Sequence, residues 1–448
     1  MKRYPAYKNS GIEWIGEMPS HWDLIRTRFV FDVISGNGFS DEFQGKQGGE
    51  FPFYKCSDIN SSEVFVDKAN NYVDQSDVRQ NGWNVIPRNS ILLAKIGESL
   101  KKNHRKINST DCLIDNNMMS VVLRNVSEPA KYYYYLMNLI NMEWFVNPGA
   151  VPSVDVSKFR SFFIPRVAKD EQRNVVGYLD QKTTQIDDLI AKKERMIKLL
   201  KEERSAVINH VVTRGLDPDV ELKDSGIDWL DQIPKHWEIK KLKFNALVQF
   251  SNVDKKSEEG EFPVRLCNYV DVYHNDFITP DLDFMEATAS TEEIRKFHLR
   301  IGDVLLTKDS EEWNDIAIPA YVTFEESDLI CGYHLAQVRL QEKLIQGKYL
   351  FWFLSADCVN YQFRIEASGV TRYGLSNYAL SNSLCLIPPT KEQEEIALFL
   401  DQKTTQIDGQ VEREKKSIEL LKEFRIALIS EVVTGKIDVR QVEDAGIS

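Results

Sequence analysis

The chain is written twice. Lys8-Asn9-Ser10-Gly11-Ile12-Glu13-Trp14-Ile15 returns as Lys223-Asp224-Ser225-Gly226-Ile227-Asp228-Trp229-Leu230, and Pro19-Ser20-His21-Trp22 returns as Pro234-Lys235-His236-Trp237, each 215 positions on. A second block, Asp180-Gln181-Lys182-Thr183-Thr184-Gln185-Ile186-Asp187, recurs without a change as Asp401-Gln402-Lys403-Thr404-Thr405-Gln406-Ile407-Asp408, 221 positions later. Eight successive identities are not chance. Solenoid repeats run to roughly 20–50 residues, so a period this long means duplicated domains. Each half reads as a globular module followed by a long helix. Two such halves related by a pseudo-two-fold suit a two-fold target or partner.

From Asp170 to Val212 and from Lys391 to Val433 there is no proline and one glycine per stretch. Thr390 and Gln393 fit a capping box after Pro388-Pro389, and Gly215 and Gly435 stand where helices end. Apolar residues recur every seven positions, which is a coiled-coil seam. Its centre comprises Ile186, Ile190, Lys193, Ile197 and Leu200 in the first copy, and Ile407, Val411, Glu414, Ile418 and Leu421 in the second. Lys193 and Glu414 occupy equivalent positions with opposite charge, so pairing of the two copies is expected rather than of each with itself. Helices of about 40 residues make a rod of about 60 Å. The expected fold is mixed α/β (α+β): two similar globular domains separated by two long antiparallel coiled-coil helices. The boundaries follow as 1–169 for the first module and 170–221 for the first helix and linker. The second module takes 222–390, and the second helix and C-terminal tail take 391–448.

The modules carry β-like runs that align, Ser90–Lys95 with Asp303–Lys308. Aromatic helical stretches also align, Tyr132–Phe145 with Tyr349–Phe363. Four consecutive tyrosines at helical spacing read as core before they read as a platform for bases. The net charge of −12 is uneven: residues 1–169 hold 21 basic and 18 acidic side chains, residues 222–390 hold 17 and 26. An acidic second module can meet DNA only through a local patch, or beside partners that neutralise phosphates. The six cysteines form no CxxC pair and read as reduced structural thiols in a cytoplasm. No apolar run reaches the roughly 20 residues of a membrane span, and the N-terminus lacks an apolar signal core.

The polar loop after the first aligned strand concentrates Lys95, Lys101, Lys102 and Arg105, cations that neutralise phosphates. In the second module Lys308 and Asp309 follow the matching strand, and Thr371, Arg372 and Tyr373 lie between Gly369 and Gly374. Arg can read guanine, and Asp can accept from cytosine N4. Machinery for chemistry is missing: there is no GxxxxGK[ST] loop, no GxGxxG after a strand, no metal-ligand cluster and no Asn/Asp-Pro-Pro-aromatic methyltransferase signature. Neither a cofactor nor a metal is expected. His21 and His236 recur beside tryptophans and read as structural.

SGIEWIGEMPSHW with SGIDWLDQIPKHW, the paired junctions Pro165–Gln172 and Pro388–Gln393, and the LDQKTTQID helices together resemble a type I restriction–modification specificity subunit. Gly302–Val322 and Cys331–Ala336 resemble one known type of target-recognition domain. The resemblance implies that each module reads half of a bipartite double-stranded DNA site and that the helices set the half-site spacing. It implies two methyltransferase (modification) subunits docked on the scaffold and restriction subunits that translocate and cleave, the chain itself performing no chemistry. A coiled-coil scaffold or DNA-binding regulator without methyltransferase partners is the alternative, and a duplicated nuclease a third.

Overall fold

The computed structural model describes residues 2–60, 63–147, 149, 151–341 and 344–440. The last eight residues of the expected C-terminal tail, 441–448, lie outside them. The chain divides into two compact units, Met1–Lys192 with Ser417–Ser448, and Lys193–Lys416. Both divisions fall inside the long helices, so each unit takes part of both.

In the first unit a five-stranded sheet is built from β1 (Phe31–Ser35), β2 (Phe65–Val66), β3 (Ile91–Ala94), β4 (Arg105–Asn108) and β5 (Met118–Leu123), in the spatial order β1-β5-β3-β4-β2. The second unit builds its sheet from β6 (Ala246–Phe250), β7 (Phe277–Ile278), β8 (Val304–Thr307), β9 (Pro319–Val322) and β10 (Leu335–Leu340), ordered β6-β10-β8-β9-β7. The order is the same, and so is the sense of every pairing: antiparallel except β2 with β4 and β7 with β9. A three-stranded sheet with one parallel and one antiparallel pair accompanies each.

The central strands are buried on both faces, which is why they read as unbroken apolar runs. Side chains alternate along a strand. Accordingly Ile91 and Leu93 pack with the aromatic helix Ala130–Leu139, while Leu92 packs with Tyr54 and Ile114 of the smaller sheet. Val304 and Leu306 face the helix Gly347–Leu354, and Leu305 faces Val264 and Leu266. Tyr132, Tyr133 and Tyr135 are buried in the first unit's core, as their helical spacing predicts.

The two long helices are α1 (Lys169–Arg214) and α2 (Thr390–Val433). Within the first unit Arg425 Nε lies 2.9 Å from Asp187 Oδ1, and within the second Arg204 Nε lies 3.2 Å from Asp408. Higher numbers on one helix meet lower numbers on the other, so each stretch pairs antiparallel. These two ion pairs use equivalent residues, 221 positions apart, with the helices exchanging roles. Lys193 Nζ meets Glu414 Oε2 at 2.7 Å, each residue opposite its own repeat equivalent. Ile186 and Ile418 are buried within the first unit, and Leu200, Ile407 and Val411 within the second. Ile190 and Leu421 are partly buried against the first unit's core, and Ile197 against the seam of the second.

The repeated motifs are latches. Trp22 and Trp237 are fully buried. A Cβ on Gly435 would come within 2.4 Å of Pro19 and 2.8 Å of Trp22, and one on Gly215 within 2.9 Å of Glu392 and 3.4 Å of Trp237. Both glycines have positive φ, +79° and +76°, the left-handed conformation that ends a helix. His21 Nε2 binds Glu171 at 3.1 Å and His236 Nε2 binds Glu392 at 2.8 Å. Each PxHW motif therefore holds the end of one long helix and the start of the other, a structural duty for both histidines. The octapeptide works similarly: Asp180 accepts from Lys131 (2.6 Å) and Tyr135 (2.7 Å), Asp401 from Lys348 (2.6 Å) and Trp352 (3.0 Å). The expected capping box is replaced. Gln393 does not return to Thr390; its amide donates to the carbonyls of Pro388 (2.8 Å) and Leu344 (2.7 Å), fastening the helix start to its module.

Candidate nucleic-acid interface

The loops that leave β3 and β8 carry Lys95, Lys101, Lys102, Lys308 and Asp309, whereas Thr371, Arg372 and Tyr373 follow the helix Asp357–Arg364. Lys95 and Lys308 are equivalent strand-ending lysines, and each turns back into its own unit. Lys95 Nζ donates to Ser35 Oγ at 3.1 Å and Lys308 Nζ to the Ser251 carbonyl at 3.2 Å, so each ties its loop to the end of the sheet's first strand. Lys308 also lies over the rings of Phe250 (5.2 Å) and Tyr333 (4.8 Å), and burial lowers its pKa. Beyond Lys95, Lys101 and Lys102 are exposed, Lys101 beside Glu98 at 2.8 Å.

Arg105 departs from this set. It is 2% exposed, and its guanidinium donates to Asn103 Oδ1 at 2.8 Å and to the backbone carbonyls of Asn103 and Ile140. Burial pushes its pKa down to about 9, which leaves it charged at neutral pH. It lies in β4, whose residues are all buried. Arg105 is therefore a tie between that strand and the end of the aromatic helix, and its expected place among the DNA contacts does not hold. Lys106 follows the same course, donating to the Glu63 carbonyl.

In the second unit the corresponding residues gather. Asp309 Oδ2 lies 2.7 Å from His334 Nδ1, and its other oxygen 2.6 Å from Arg372. The carboxylate is largely covered, whereas the Arg372 side chain is 51% exposed. Asp309–Ser310 pairs with Tyr373–Gly374 as a short ladder, and Ser368 and Gly374 exchange backbone hydrogen bonds at 2.9 and 3.1 Å. Gly369, at φ +151°, would with a Cβ collide with the Arg372 carbonyl at 1.9 Å. The two glycines thus close a tight hairpin that lifts Thr371 and Arg372 outward. Asp309 holds Arg372 and His334; it is a positioning group here rather than a free acceptor.

His334 is a member of this group that its sequence context does not announce. It stands at φ +72°, a conformation costly for a non-glycine residue, and its ring centroid is 4.0 Å from that of Tyr333. Its only sequence signal is position, within the Cys331–Ala336 segment. In the first unit the backbone carbonyl of Lys95 accepts from Val154 at 3.0 Å, as that of Lys308 accepts from Leu375 at 2.8 Å. Val151 and Pro152 therefore stand where Arg372 and Tyr373 stand in the second unit, a correspondence invisible in the sequence because no side chain is shared. Among the described residues no group of three or more His, Cys, Asp or Glu could hold a metal ion, and no helix is long and apolar enough to cross a membrane.

The family model of the Type I restriction modification DNA specificity domain matches residues 19–199. The specificity subunit of the type I restriction enzyme MjaIX from Methanocaldococcus jannaschii is 21% identical over 96% of this chain and 96% of its own length. That of MjaVIII from the same organism is 20% identical over 95% of each. Residues 19–199 belong to the type I restriction modification DNA specificity domain family. The specificity subunit of Escherichia coli K12 EcoKI aligns over part of this chain, 24% identical across 56% of it and 53% of its own length. The fold agrees. A chain from a structure of type I restriction–modification complex assembly superposes with a TM-score of 0.69 at 14% identity, covering 94% of this chain and 99% of that one. The HsdS subunit from Thermoanaerobacter tengcongensis gives 0.55 at 15% identity, covering 94% and 98%.

Proposed function

We propose that this chain is a type I restriction–modification specificity subunit that reads a bipartite double-stranded DNA site, one half with residues 1–169 and the other with residues 222–390. The helices of 170–221 and 391–448 set the spacing of the half-sites and dock two modification subunits, to which restriction subunits add. One observation carries the reading: two sheets of identical strand order whose equivalent strands, β3 and β8, open into loops of different chemistry. Equal frames with unequal loops are what two readers of different sequences require. Lys101 and Lys102 supply phosphate contacts in the first unit; Arg372, Thr371 and Tyr373 approach bases in the second. Lys95, Lys308 and Asp309 position those loops. The subunit methylates and cuts nothing itself, and acts in the cytoplasm, where the chromosome lies.

The test is a map of methylated adenines in host DNA with and without this chain. A split motif with a fixed spacer, absent when the chain is deleted, is expected. A continuous motif, or methylation indifferent to the chain, would refute the reading.

A further inference from the structure

Loops that read different half-sites must differ between the units, whereas a surface that receives the same partner twice must be the same in both. Among the described residues, an aromatic side chain exposed at equivalent positions of the two copies meets the second condition. Phe29 is 60% exposed and Phe244 64% exposed, at positions 215 apart. Each ends a single turn of 3-10 helix, Thr27–Phe29 and Leu242–Phe244, with one burial pattern: first residue buried, next two exposed. Each turn hangs from an equivalent carbonyl. The Thr27 amide donates to Phe162 and the Leu242 amide to Ser383, both at 2.9 Å. Each ring carries a cation, Arg28 at 4.9 Å and Lys243 at 5.4 Å. Arg26 stands before the first turn and Lys241 before the second.

Charge strengthens the case. Residues 222–390 have turned acidic, with 26 acidic against 17 basic side chains, yet Lys240, Lys241 and Lys243 remain together at this turn. A single exposed ring is ordinary on a protein surface; the same ring beside a cation at the equivalent turn of both units is a repeated feature. Aromatic and arginine side chains are enriched at protein interfaces.

We infer that Phe29 with Arg28, and Phe244 with Lys243, are twin anchors that each seat one copy of a single protein partner, the modification subunit, in an apolar pocket rimmed by carboxylates. This rests on the function proposed above. Duplex DNA is disfavoured as the occupant, because the backbone offers a cation its phosphates but offers a phenyl ring nothing.

The full chain is co-expressed with the modification subunit of its own system, and stoichiometry is read by sedimentation and native mass. The wild-type chain should carry two copies. Phe29→Ala and Phe244→Ala should each retain one tightly, weakening the other about 30-fold or more, as truncated aromatic anchors do; the double variant should release both. Arg28→Glu and Lys243→Glu, which keep the rings, should weaken the same copies. The melting temperature and the salt-dependent DNA affinity of the chain alone should not change. Intact two-copy assembly in the double variant overturns the inference, as does loss of DNA affinity by the chain alone with assembly unaffected. A wild-type chain that binds no modification subunit fails the proposed function instead, so the two failures are separable.

Discussion

A guanidinium 2% exposed cannot reach a phosphate while the helix beside it holds still. Arg105 is held by Asn103 and by the Ile140 carbonyl, so Arg105→Ala strips acceptors in a dry interior of their donor. That should cost about 1–3 kcal/mol, seen as a lower melting temperature with the salt slope of DNA binding unchanged. Arg372 differs because its loop is held by Asp309 and by glycine geometry while its side chain stays half in water. Arg372→Ala should relax one position of the second half-site, losing about 1–3 kcal/mol of discrimination, with the first half-site intact in the methylation map. Lys101→Ala with Lys102→Ala should instead weaken all sites alike and flatten the salt slope by about one unit for each phosphate left without its cation. Composition could not separate these arginines. The residues around Arg105 look like a charged loop in sequence, and only the pairing of β3 with β4 shows that Arg105 points into a covered face.

At the scale of elements, the long helices were readable to within about two residues, because nothing in either stretch interrupts an apolar period and a glycine closes each. The reason for the identical octapeptide was not readable. Its aspartates answer to residues far away in sequence, Lys131 and Lys348 from the modules and Arg425 and Arg204 from the opposite helix. Sheet order escaped for the same reason, since it depends on pairings between distant strands. Lys193 and Glu414, each less than a third exposed, give a clean test. Lys193→Glu should destabilise by about 1 kcal/mol, and adding Glu414→Lys should recover most of it, read as non-additive shifts in thermal unfolding. Additive losses would show that the ion pair contributes nothing.

For the whole molecule, duplication decides the most. It was plain in the sequence, and the common strand order of the two sheets gives it a structural form that the diverged loops conceal. If the helix pair is the ruler, four residues inserted after Lys193 and four after Glu414 add about 6 Å, and the spacer in the methylated motif should lengthen by about two base pairs with both half-sites unchanged. The central claim, that each unit reads its own half, has a more direct test. Both modules are latched to the helices by the same pairs, His21 with Glu171 and His236 with Glu392, so residues 222–390 can be replaced by a second copy of 1–169. Methylated adenines are then mapped in cells carrying this chain and its partners. A split site made of two copies of the first half-site is expected; persistence of the original second half-site would show that the units do not each read their own half.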